Sequence, residues 1–157
     1  MKKNILILLV ILFITSIMSA QYESYDDAIG IRGGLHSGIT YKRFISSSTA
    51  IEGILHTRWR GWEVVGLMEF HNELSPDNLS WFYGYGGHLG FYDTRYTYWD
   101  EPSGSVLVAG VDGILGIEYQ FDEVPFVIGV DWKPYLNLLG HSGFFANGGA
   151  FFVRYVF

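Results

Sequence analysis

The stretch SVLVAGVDGILGIEYQF, residues 105–121, alternates along its whole length. Its odd positions are Leu107, Ala109, Val111, Gly113, Leu115, Ile117, Tyr119 and Phe121, while its even positions include Asp112, Glu118 and Gln120. Successive side chains of a strand point to opposite faces, so this pattern describes one long strand with an apolar and a polar face. No helical stripe accommodates it. A two-faced strand of this length needs neighbours of the same kind.

The same period marks eight candidate strands, at about 27–36, 38–45, 50–59, 62–72, 79–92, 105–121, 125–135 and 146–157. The segments between them are rich in turn formers. SSST (46–49), SPDN (75–78) and DEVP (122–125) fall on one side of an up-and-down sheet; RG (60–61) and the long DTRYTYWDEPSG (93–104) and LLGHSGFFA (138–146) fall on the other. The expected fold class is all-β, an eight-stranded antiparallel up-and-down barrel. Short turns at one end and longer loops at the other are the layout of outer-membrane barrels.

Which face looks inward decides the environment. One face holds Arg32, His36, Thr40, Lys42, Glu52, His56, Arg58, Glu69, His71, His88, Asp112, Glu118, Asp131 and Arg154, interleaved with Gly30, Gly34, Gly84, Gly86, Gly116, Gly129 and Gly148. A solvated exterior has no use for so much glycine, which weakens strands, whereas a narrow interior shared by eight strands does. The other face carries Ile29, Ile31, Ile39, Tyr41, Leu55, Trp59, Trp62, Val64, Phe70, Trp81, Tyr83, Tyr85, Leu89, Phe91, Val130 and Trp132, with Arg43 its one charge, near a strand end. So many large side chains exceed the room inside eight strands, so this face is expected to meet lipid, with Trp and Tyr gathering at the strand ends as interfacial girdles. At 18% the aromatic content is high, and at 17% the charged content lies below that of ordinary soluble domains.

Residues 1–20, MKKNILILLVILFITSIMSA, place Lys2 and Lys3 before an apolar run from Ile5 to Ile14 and then small residues, the layout of a secretory signal peptide cleaved after Ala20. Residues 21–157 then form one barrel domain. The net charge of −6 argues against nucleic acid as a partner. With no cysteine, disulfides and thiolate metal sites are excluded.

The chain resembles the small outer-membrane β-barrels of Gram-negative bacteria, the class related in architecture to OmpA and OmpX. The resemblance spans essentially all of residues 21–157. In that class a terminal aromatic preceded by alternating aromatic or apolar residues is read by the barrel-assembly machinery, and Phe151, Val153, Tyr155 and Phe157 fit that pattern. More narrowly, residues 50–71 and 110–140 are similar to a group of Bacteroidota barrel proteins, and Ala20-Gln21 is similar to signal cleavage junctions frequent in that phylum. The resemblance implies an outer-membrane location, lipid and the assembly machinery as partners, and a monomer.

The expected polar network of the lumen is Arg32, Lys42, Glu52, His56, Arg58, Glu69, Asp112, Glu118, Asp131 and Arg154, since buried charges must be paired. Eight strands leave an interior that side chains fill, so a wide pore is not expected. GLHSG (34–38) and GHSG (140–143) each set His beside Ser, and some outer-membrane barrels modify lipid A with such groups. Neighbours on a strand point to opposite faces, so these pairs are poorly placed for a nucleophile and its base. His36, His56, His71 and His88 lie on four separate strands without metal-ligand spacing. The expectation is a structural or surface-interaction barrel with no catalysis, no metal and no cofactor. The rival readings are a lipid A-modifying enzyme, a narrow channel and a soluble lipocalin-like calyx.

Overall fold

The computed structural model describes residues 25–58, 60–74, 78–97 and 104–157. Residues 1–20 and Trp59 lie outside this set. The strands are β1 (Asp27–Gly34), β2 (Gly38–Phe44), β3 (Thr49–Arg58), β4 (Gly61–Leu74), β5 (Leu79–Asp93), β6 (Ser105–Gln120), β7 (Phe126–Trp132), β8 (Tyr135–Leu139), β9 (Gly143–Phe145) and β10 (Gly149–Val156). A single 3₁₀ turn, Thr94–Tyr96, follows β5. All pairings are antiparallel. The sheet runs from β5 back through β1, crosses to β10, β7 and β6, and closes where β6 pairs with β5.

Ten strands make eight staves. β7 and β8 both pair with β6, and the register carries across from Trp132 opposite Leu115 to Tyr135 opposite Asp112, shifting only at a bulge between Gly110 and Ala109. Between them Pro134 has no N–H to give the ladder, yet its carbonyl accepts from the Gly113 N–H at 2.9 Å and keeps the stave aligned. β9 pairs with β8 and β10 with β7, so the last stave is interrupted at the same level.

This corrects the expected long loop at 138–146. β8 runs to Leu139 and β9 resumes at Gly143, which leaves only residues 140–142 between them, with Gly140 in the left-handed region at φ +80°. The strand expected at 125–135 pauses at Pro134, and the alternation continues beyond it to Leu139. β1 also stops at Gly34 rather than at 36, because Ser37 Oγ donates to the Gly34 carbonyl at 3.0 Å and draws residues 35–37 into a turn.

The faces divide by parity. Ile31 and Phe144 are both 67% exposed on the outer surface, among a belt that includes Ile39, Tyr85, Leu89, Val111, Leu115, Ile117, Val130 and Phe151. Phe151, Val153, Tyr155 and Phe157 share this side; the Phe157 N–H donates to the Asp27 carbonyl at 2.9 Å, tying the two chain ends together. The lumen is less purely polar than the alternation suggested. Ile54, Val65, Leu67, Phe82, Ile114, Val127 and Phe152 are buried there among the charges. Two of these rings explain two glycines. A Cβ on Gly116 would sit 2.3 Å from Phe82 Cζ, and one on Gly129 would sit 2.3 Å from Phe152 Cζ. Each ring fills the space its glycine leaves, so aromatic bulk crosses a narrow lumen without spreading the staves.

Candidate functional site in the barrel lumen

One end of the barrel, the turn end, carries Asp27, Phe157 and the connections at 45–48 and 121–125. The other, the loop end, carries residues 35–37, 94–97 and 140–142. Nine of the ten sequence-derived network residues are buried in the lumen, and Arg58 is half-buried at the loop end. They separate into two networks.

Towards the turn end Arg154, on β10, is the hub. Its Nη2 donates to Glu52 Oε1 on β3 at 2.6 Å and its Nη1 to Glu118 Oε2 on β6 at 3.3 Å, while its guanidinium lies 3.7 Å from the Phe152 ring centre. Lys42 Nζ lies 2.7 Å from Glu69 Oε2 and 3.2 Å from Glu118 Oε2, beneath the Phe82 ring. Thr40 donates to Glu52, and Arg32 pairs with Asp131 across β1 and β7. His71 approaches Glu69 at 3.2 Å. Lys42, Glu52, Glu69 and Arg154 are all fully buried. Groups of this kind are tolerated so deep only where each meets an opposite charge or a donor.

Tyr25, just before β1, seals this network by donating to Glu118 Oε1 at 2.7 Å and packing edge-on against Phe44. Burial, then the Glu118 charge, pushes its phenol well above the usual range, so it stays a donor. Outside the seal lies a cavity of about 700 Å³ bordered by Asp26, Phe44, His71, Glu73, Glu118 and Asp122.

Towards the loop end the groups are histidines. His88 Nδ1 meets Asp112 Oδ2 at 2.7 Å, its Nε2 meets Asn137 Oδ1 at 2.9 Å, and Lys133 donates to Asp112 Oδ1 at 2.5 Å. His56 Nε2 meets Glu63 Oε1 at 2.8 Å, and the Tyr92 hydroxyl donates to Glu63 Oε2 at 2.7 Å. Arg58 Nη1 lies 3.1 Å from His36 Nε2. The Tyr135 ring touches those of both His36 and His88. His36 lies in the turn above the strands. Burial first, then its neighbours His56 and Lys133, hold its imidazole down at about 3, so it is neutral at neutral pH.

Glu63, Lys133, Asn137, Tyr25 and Tyr92 were absent from the expected network. Parity was the available signal for Glu63, which alternates in step with Glu69 and His71, and for Lys133, in step with Asp131. Asn137 lies beyond the expected strand end at 135, and Tyr25 precedes the first strand. His36, from the turn after β1, meets the cross-strand pair His56 and Glu63 at one level. In the two His-Ser pairs, Ser37 Oγ is engaged with the Gly34 backbone and Ser142 Oγ faces the Leu138 carbonyl at 3.5 Å. The His141 ring leans on Phe145 instead.

Comparison with protein-family models and with curated proteins finds no match to this chain. The inference to function therefore rests on the barrel itself.

Proposed function

We propose that this chain is an integral outer-membrane β-barrel with a side-chain-filled lumen, serving a structural or surface-interaction role without catalysis. The observation that carries this reading is the inversion of the usual protein pattern. Fully buried Lys42, Glu52, Glu69 and Arg154 lie inside, while Ile31, Ile39, Tyr85, Val111, Val130 and Phe151 form an exposed belt. In water an apolar surface of that extent is an aggregation hazard. In hydrocarbon it is the stable arrangement, because a closed barrel leaves no backbone edge unpaired. The membrane proposal carries with it residues 1–20 as an export signal, lipid and the assembly machinery as partners, and a monomer.

The lumen favours a plug over the rival roles. Paired ions and the Phe82 and Phe152 rings occupy it, which speaks against a continuous water path. Its charges speak against a calyx for apolar ligands, and the engaged serines speak against lipid A chemistry.

Membrane fractionation followed by gel mobility with and without boiling tests the reading. The expected result is outer-membrane recovery and a mobility shift on heating, with no porin-sized conductance when the same sample is reconstituted in planar bilayers. Recovery as a soluble periplasmic protein would overturn the membrane assignment, and reproducible large channels would overturn the plug.

A further inference from the structure

Three groups that bind divalent metals converge at the loop end of the lumen. His56 on β3 and Glu63 on β4 are direct cross-strand partners, both pointing inward. His36, from the turn after β1, lays its ring 4.7 Å from that of His56, centre to centre. One ligand atom from each residue lies within 4.8 Å of the other two, and all three residues are buried. We propose that His36, His56 and Glu63 form a binding site for one divalent transition-metal ion of the zinc type.

The donor set is chemically apt. Two imidazoles and one carboxylate are the ligands that borderline ions such as zinc prefer, and three protein ligands leave a position for water or an incoming ligand. Two further observations point to an occupant. His36 Nδ1 and His56 Nδ1 are both buried without a hydrogen-bond partner, which costs about 1–3 kcal/mol for each such atom. The Tyr92 hydroxyl, bonded to Glu63 Oε2, fixes the carboxylate as outer-shell donors do around metal ligands.

Two cations oppose the ion, and the structure shows how each is accommodated. Lys133 is held by Asp112 at 2.5 Å. Arg58 contacts His36 Nε2 but is only half-buried, near the rim, where its long stem can carry the guanidinium to water. Ligation through the orphaned Nδ1 atoms makes His36 Nε2 an N–H, so its contact with Arg58 is given up, and the His56–Glu63 hydrogen bond gives way as the carboxylate turns to the ion. The side chains must close in by rotamer adjustment, and the β3–β4 ladder stays as it is.

The full chain, refolded in detergent and freed of metal, is titrated with Zn²⁺ against a chromophoric chelator and with Co²⁺ followed by its visible absorption. The expected result is one ion per chain, with Co²⁺ bands characteristic of low-coordinate nitrogen and oxygen ligation. Glu63→Gln and His36→Asn each weaken Zn²⁺ binding by more than about tenfold, and Tyr92→Phe, acting through Glu63, by about tenfold. His141→Asn leaves binding unchanged. Heat-dependent gel mobility establishes that each variant is folded, and His36→Asn, which lies outside the strand ladder, decides the matter if Glu63→Gln does not fold. Absence of stoichiometric binding, or equal affinity in the wild type and His36→Asn, would overturn the site.

Discussion

Arg154→Met lowers the unfolding free energy by about 3–5 kcal/mol, read from the shift of the urea midpoint of the refolded barrel. The cost arises from what the substitution leaves behind. Glu52 loses its 2.6 Å partner and Glu118 one of its two cations, in a region that is fully buried. Lys42 alone then faces Glu52, Glu69 and Glu118. Adding Glu52→Gln to Arg154→Met removes one stranded charge and restores a large part of the loss, since replacing both members of a buried pair is often nearly neutral. A cost below about 1 kcal/mol would match a solvated pair and would sink the dry-lumen reading.

Val111→Arg gives the second large effect and addresses the opposite face. Val111 lies near the middle of β6 and is 48% exposed on the outer belt. On the membrane reading an arginine there costs about 2–4 kcal/mol in lipid vesicles, as expected near the bilayer midplane. A water-facing barrel would tolerate it within about 0.5 kcal/mol, as an ordinary surface substitution. Unfolding in vesicles therefore separates the two readings by a margin larger than the measurement error.

The fold was legible because the period of two survives in nearly every stave. The pattern along Ile29, Ile31, Ile51, Leu55, Val64 and Phe70 shows which side each residue takes. It failed where backbone chemistry outweighs pattern. The strand expected to end at 135 instead pauses at Pro134 and runs on to Leu139, because the proline carbonyl still serves the ladder. The alternation also hid the apolar part of the lumen: Val65 and Leu67 sit inward between Glu63 and Glu69, and in sequence an inward leucine cannot be told from an outward one except by counting. Pair identities were beyond reach altogether. Arg154 and Glu52 are 102 residues apart, and only the closed circumference sets them face to face.

That circumference has a kinetic consequence. Arg154 belongs to the last stave, while its partners belong to the third and sixth, and Arg32 on the first stave waits for Asp131 on the seventh. A sheet whose β1–β10 seam is open cannot form the Arg154–Glu52 and Arg32–Asp131 pairs, so those two carboxylates keep their water until the seam shuts. Seam closure and drying of the lumen therefore coincide in one late event of high contact order. Such contacts, made after the rate-limiting barrier, act mainly on escape from the finished state. Weakening the network should shorten the lifetime of the completed barrel far more than it slows its assembly.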